Sequence, residues 1–346
     1  MIPIQNVYYM LSYAFQTLNE QGFKSVATEH FHNMTELCAA ILIKGVSSQL
    51  KRGLTREYIG RTEALSSLRG RIEMSESIQT GSVFKKQLIC SFDDFSVNSY
   101  MNRILKTTMS LLLHSDISKT RKKELRKILV FFVDVDPLEI HLIDWKLQYA
   151  RNNQSYRMLI SICYLVVKGL LQTNSDGTTR LMDFLDEQRM CRLYEKFILE
   201  YYRKEFPQIS VSSSQIPWAL DDETSAMLPI MQSDVMLTYG DKILILDAKY
   251  YSHATQTHYD ARTLHSNNLY QIFAYVKNKH SELVGTSRVV SGMLLYAQTD
   301  DEAPLDQTYR MSGNKICVKT LDLNCECSKI AEQLNKIASE QLGVVA

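Results

Sequence analysis

The spacing of apolar and polar positions divides the chain into a mainly helical front half and a back half that mixes strands with helices. Val7-Tyr-Tyr-Met-Leu-Ser-Tyr-Ala-Phe15 is apolar or aromatic nearly all round, which predicts a helix embedded in its own domain. Met34 to Lys44 carries a helical period through Leu37, Cys38, Ala40 and Ile41, with Gly45 as its end. Leu54 to Ile72 reads as short strands and loops around Arg61-Thr-Glu63 and the turn-like Leu68-Arg-Gly-Arg71. Asn98 to Ser115 is amphipathic through Tyr100, Ile104, Leu105, Met109, Leu112 and Leu113, and Lys119 to Val130 continues as a charged helix. Ser155 to Leu171 predicts a buried helix. The polar, turn-rich stretch from Gln172 to Arg180 follows, and the domain boundary is placed in it, giving residues 1–175 and 176–346.

In the back half, Met190 to Phe206 is a strong helix with Leu193, Tyr194, Phe197, Ile198 and Tyr201 on its apolar face, ended before Pro207. Ile209 to Trp218 reads as a strand. Pro229 to Lys249 then reads as two strands joined by Gly240-Asp241, a pair suited to a type II′ hairpin because glycine accepts the positive φ of the first turn position. A polar loop leads to a helix over Ser266 to Lys279, and Val289 to Ala297 and Cys317 to Leu323 supply two further strands.

The hairpin carries the chemistry. If Tyr239 pairs with Lys242, the same register carried down the ladder sets Asp234 directly across from Asp247. Alternation then puts Lys249 on the face of Asp247, with Ile243 and Ile245 on that face nearer the turn. Opposed like charges destabilise a sheet, so something must compensate the pair. Mg²⁺ would do so: it is a hard ion that takes a few carboxylates, and a neighbouring lysine can orient or deprotonate a water, the chemistry of phosphodiester hydrolysis. A sheet edge protected by charge, with Lys249 merely neutralising Asp247, is the plainer account. Against it, Ile243 to Leu246 is continuously apolar, as in a strand buried on both faces.

Composition narrows the rest. At 346 residues, 45% hydrophobic, the chain is long enough for two soluble domains, and its net charge of +1 gives no general affinity for nucleic acid. The run Lys119, Arg121, Lys122 and Lys123 reads as a solvated helix face. The opening residues lack the basic start of a secretory segment. The longest apolar stretch, Met158 to Leu171, is broken by Ser161 and Lys168 and is shorter than the ~20 residues a bilayer needs. A cytoplasmic protein with no membrane partner is expected. The 7 cysteines fit reduced thiols, and Cys325-Glu-Cys327 with Cys317 matches no zinc spacing.

The order helix, strand, hairpin with Asp234 and Asp247-Ala-Lys249, then helix with Gln271-Ile-Phe-Ala-Tyr275, resembles the PD-(D/E)XK nuclease core, including the Q-x-x-x-Y element of its exonuclease-like branch. More narrowly, Ile4-Gln-Asn-Val-Tyr-Tyr-Met-Leu-Ser-Tyr-Ala14, Gly70-Arg-Ile-Glu73 and His265-Ser-Asn-Asn-Leu-Tyr-Gln271 are similar to segments of the McrC family, so the likeness spans most of the chain. The resemblance implies an α/β architecture: a mixed-sheet, restriction-endonuclease-like C-terminal domain behind a mainly helical α+β N-terminal domain. It implies Asp234 and Asp247 as Mg²⁺ ligands, Lys249 as the residue that stabilises charge or positions the attacking water, and Gln271 and Tyr275 as contacts to the backbone or scissile region of double-stranded DNA, with helix packing an equal account of Tyr275. Asp234 follows Gln232-Ser233 and not a proline, which takes no chemical role away. Glu195 is a further carboxylate on the preceding helix, read chiefly as a solvated charge.

The family also implies a partner, a McrB-like GTP-hydrolysing AAA+ hexamer that recognises DNA with modified (methylated) cytosine. This chain has no G-x-x-x-x-G-K-[ST] loop, so such a motor is expected in trans. The N-terminal domain would dock on it and stimulate its GTPase, with Arg69 or Arg71 as contributors. Two other readings stay open: a non-catalytic DNA- or partner-binding adaptor that keeps the nuclease fold, and a stand-alone DNA repair nuclease.

Overall fold

In the computed structural model the described residues are 2–15, 31–149, 154–176, 187–222, 227–250, 255–258, 261–298 and 304–344, with isolated positions between 18 and 29. They form two compact units, Met1–Asn19 with Met182–Ala346, and Glu20–Leu181. The expected division at 175/176 thus takes another form. The chain crosses over a few residues later, and the first helix, α1 (Ile4–Ala14), folds with the C-terminal unit and not with the domain that follows it in sequence.

The unit Glu20–Leu181 begins with α2 (Met34–Arg52), continues with strands β1 (Glu57–Leu65) and β2 (Arg71–Ile72), the short α3 (Met74–Gln79) and β3 (Leu88–Ser96), and ends with α4 (Tyr100–Leu113), α5 (Lys119–Leu129) and α6 (Gln154–Asp176). Helices α2, α4, α5 and α6 pack on one another around fully buried Leu37, Cys38, Ile41, Leu105, Met109, Leu159 and Cys163. The three strands make an antiparallel sheet in the order β1-β3-β2. Gly45 does not end α2. The helix runs on to Arg52 and stops at Gly53, whose φ is 91°. A Cβ on Gly45 would stand 2.4 Å from Leu159 Cδ2, so the glycine is there to let α2 and α6 approach. Helix α6 likewise runs to Asp176, into the stretch read as linker.

The other unit adds α7 (Glu187–Glu205), the short strands β4 (Ser210–Ser212), β5 (Gln215–Ile216) and β6 (Met231–Gln232), then the hairpin β7 (Val235–Tyr239) and β8 (Lys242–Lys249). The span Ile209 to Trp218, expected as one strand, is split between β4 and β5, which join different sheets. A small hairpin of β9 (Thr255–His258) and β10 (Ala261–Leu264) fills the region expected as a polar loop. Next come α8 (Ser266–Glu282), β11 (Val289–Gln298), β12 (Asp306–Met311), β13 (Asn314–Asp322) and α9 (Cys327–Leu342). The main sheet is six-stranded in the order β12-β13-β11-β8-β7-β4. It is mixed: β8, β11 and β13 run parallel, while β7 and β12 are antiparallel to their neighbours.

Strand β8 lies inside this sheet, and its two faces are covered by different helices. Ile243 and Ile245 join Ile272, Tyr275 and Val276 of α8 in one apolar cluster. The alternate residues Leu244 and Leu246 are also fully buried, and α7 and α9 both contact β8. Continuous hydrophobicity from Ile243 to Leu246 has its cause in this three-layer burial. Helix α1 packs against α7, with Tyr9 and Tyr13 each 5.6 Å from the ring of Phe197 and Tyr13 5.2 Å from Tyr201. Among the described residues no helix is long and apolar enough to cross a membrane.

Candidate active site

The hairpin register positions the site. Gly240 has φ 58° while Asp241 stays at negative φ, as a two-residue turn with glycine first requires. Tyr239 pairs with Lys242 and the ladder runs without a bulge to Val235 and Leu246, so the next step sets Asp234 beside Asp247. Asp234 is fixed there by its Oδ2, which accepts from the backbone N–H of Ala248 at 2.9 Å.

Asp247 is 1% exposed, and neither of its carboxylate oxygens has an aligned hydrogen-bond donor among the described residues. Its compensation is electrostatic. Lys249 Nζ stands 2.8 Å from Asp247 Oδ2, close enough for an ion pair though not aligned as a hydrogen bond. The same ammonium donates to Gln271 Oε1 at 3.0 Å, and Gln271 Nε2 donates to the Tyr275 hydroxyl at 3.0 Å. An ammonium has only donors, so the amide oxygen must face it and the amide nitrogen must face Tyr275. Strand β8 and helix α8 are therefore joined at the site by a chain from Asp247 through Lys249 and Gln271 to Tyr275.

The acids are short of counter-charge. Burial raises the Asp234 pKa, the neighbouring carboxylates of Asp247 and Glu195 raise it further, and the Ala248 N–H and Lys249 pull only partly the other way, leaving it pushed up to about 8. Asp247 is raised by burial against the pull of Lys249. Glu195, from α7, is raised by burial, with the bond from Cys191 and the charge of Lys249 opposing and Asp247 reinforcing. The Cys191 thiol, pushed up to about 12 chiefly by burial and then by Glu195, stays protonated and lies 3.1 Å from Glu195 Oε1. Glu195 is thus not the solvated helix charge expected of it. It belongs to the electrostatic environment of the two aspartates.

Of the residues singled out in the sequence, Asp234, Asp247, Lys249 and Gln271 come together, and Tyr275 stands behind Gln271, only 8% exposed. A direct DNA contact by Gln271 would have to give up one of its two internal bonds. Cys191 was not foreseen. Its position four residues before Glu195 on one helix is the only signal that could have found it.

The two buried Asp247 oxygens, which lack an aligned donor, with the facing carboxylate of Asp234 make a donor set that a hard divalent cation such as Mg²⁺ would suit. Among the described residues no three His, Cys, Asp or Glu side chains are gathered as a metal-binding group. Cys325 and Cys327 serve a different end, lining the joint where Asn6 of α1 meets the segment after β13.

Fold and site together define a mixed-sheet α/β protein with an acid–lysine centre at the end of an internal strand. Residues 5–297 match the McrBC 5-methylcytosine restriction system component family, and the chain belongs to that family. It is 29% identical over 352 residues to the type IV methyl-directed restriction enzyme EcoKMcrBC of Escherichia coli (strain K12), covering 99% of this chain and 98% of that one. A solved half-complex of Thermococcus gammatolerans McrB AAA+ hexamers with bound McrC matches at a TM-score of 0.48 and 15% identity, over 95% of this chain and 76% of that chain. The cryo-EM structure of the Thermococcus gammatolerans McrBC complex gives 0.39 and 18%, over 58% of each. Both scores lie below 0.5, and the family assignment does not rest on them.

Proposed function

We propose that this chain is the Mg²⁺-dependent, PD-(D/E)XK-type DNA endonuclease subunit of a GTP-driven restriction complex that cuts DNA carrying modified cytosine. The convergence of Asp234, Asp247 and Lys249 carries the reading, and membership in a 5-methylcytosine restriction family supports the substrate. A McrB-like AAA+ hexamer is its partner, and the unit Glu20–Leu181 is the docking part. Within that unit Arg69 lies over the Phe92 ring at 4.4 Å and 3.4 Å from Asp94, so its guanidinium is already engaged. Arg71, 83% exposed and 3.4 Å from Glu73, is the freer of the two arginines to reach a partner's nucleotide.

When bound, Mg²⁺ supplies Lewis acidity toward the phosphoryl oxygens. Asp234 and Asp247 would hold the cation, and Glu195 would add negative charge beside them. Lys249, tethered between Asp247 and Gln271, presents an ammonium that stabilises charge developing on the phosphate or orients the attacking water. Gln271 acts through Lys249 and not on the substrate, so it is a positioning residue. Gln271→Leu should lower kcat roughly 10- to 100-fold, the range seen for groups that orient a ligand or catalytic residue. DNA affinity should stay near that of the wild type, and Gln271→Glu, which keeps an acceptor for Lys249, should recover part of the rate. A loss confined to DNA affinity would instead make Gln271 a DNA contact.

Metal-free stability gives a second test. A carboxyl that holds its proton more tightly folded than unfolded stabilises the fold below its ordinary value and loses that contribution as pH rises through the folded value. For Asp234 the window runs from about 4 to about 8. In chelator, melting temperature should therefore fall across that window more steeply for the wild type than for Asp234→Asn, and Mg²⁺ should restore it most at the upper end. Parallel curves for the two proteins, with equal Mg²⁺ shifts, would place the ion elsewhere. The function itself is tested by incubating the chain, its AAA+ partner, GTP and Mg²⁺ with methylated and unmethylated duplexes; failure to cut the methylated one removes the proposal.

A further inference from the structure

Helix α5 carries positive charge that no acid among the described residues pairs with. Its buried side is Leu125 and Ile128, and Arg121 on the packed flank is tied to Glu29, Glu36 and Glu124. The remaining cations, Lys119, Lys122, Lys123, Arg126 and Lys127, fall at helical spacings of three and four and so form one stripe along about two turns. None of the five makes an ion pair or side-chain hydrogen bond among the described residues. By contrast, the exposed Arg61 and Arg203 each meet an acid, Glu63 and Glu200. Like charges three and four apart weaken a helix, and a chain of net charge +1 has acids enough to intersperse.

We infer that this stripe is a duplex-DNA backbone contact, an auxiliary anion surface on the unit that does not contain the acid–lysine site. The choice of DNA as the polyanion rests on the proposed function, while the stripe itself does not. Lysines on an exposed helix, with no apolar residue among them, suit phosphates, which are met as point charges. Protein interfaces, by contrast, deplete lysine from their cores. At 1.5 Å rise per residue the stripe is about 12 Å long, which matches roughly three to four phosphates of one strand along the duplex axis.

The test is salt-dependent binding of the full chain to a short unmodified duplex, followed by fluorescence anisotropy. Replacing Lys123, Arg126 and Lys127 by glutamine should lower the slope of log affinity against log salt by roughly two to three and weaken binding at least ~10-fold near 0.1 M salt. Melting temperature should hold or rise, because repelling pairs are removed. The Lys123→Arg/Lys127→Arg variant should bind like the wild type. An unchanged slope and affinity in the glutamine variant would overturn the inference. So would intact DNA binding with loss of GTPase stimulation in the AAA+ partner, which would make the stripe a protein-docking face. A wild type that neither binds duplex at low salt nor cuts it would overturn the proposed function, and the DNA assignment of the stripe with it.

Discussion

Asp247→Ala is expected to abolish DNA cleavage, while the variant still folds, joins its partner and raises GTP turnover. Losing a metal ligand removes several kcal/mol of transition-state stabilisation, roughly a thousandfold or more in rate. The fold should not suffer. Asp247 is buried opposite a second acid, so its removal ends a like-charge opposition that offsets the loss of its ion pair to Lys249, whose ammonium keeps its bond to Gln271. Lys249→Ala should be equally inactive yet less stable, since it leaves Asp247 buried without its one counter-charge. This opposition in stability separates loss of chemistry from loss of structure. Undiminished cleavage by purified Asp247→Ala complex would remove the centre from the mechanism altogether.

The hairpin was legible because it is a local object. Alternation and a glycine-first turn determine its register, and the observed ladder from Tyr239–Lys242 to Val235–Leu246 follows from those two facts alone. The pairing of Lys249 with Gln271 was not legible in that way. It depends on α8 lying across Ile243 and Ile245, a contact between segments 22 residues apart that no periodicity encodes. Glu195 illustrates the same limit: its own helix gives it a position, but only the packing of α7 by β8 brings it to the aspartates. Gly45 shows the converse error. A glycine near a period's end looks like a stop, yet this one is an inter-helix contact point. The misplacing of α1 has a similar origin, because a helix that is apolar all round declares burial without declaring in which unit.

That misplacement shapes the last expected result, which is that residues 182–346 alone will be severely destabilised or unfolded. Without α1, Phe197 and Tyr201, now 0% and 1% exposed, lose ring partners that contribute about 0.5–1.5 kcal/mol per aromatic pair beyond their burial. Asn6 Nδ2 donates at 2.7 Å to the carbonyls of both Leu323 and Cys325, and leaving a buried acceptor unmet costs about 1–3 kcal/mol. Tyr13, which donates to Glu205 at 2.8 Å, is lost as well. Together these are several kcal/mol against the ~5–15 kcal/mol that hold a typical domain. A variant in which a long Gly/Ser linker replaces residues 20–181 keeps α1 and should fold, melting near the C-terminal transition of the whole chain. It should cut poorly and fail to raise GTP turnover, whereas the fragment Glu20–Leu181, which owns its core of α2, α4, α5 and α6, should raise GTP turnover without cutting DNA. If residues 182–346 melted as sharply and as high as the linker variant, α1 would be an accessory and not part of that unit's core.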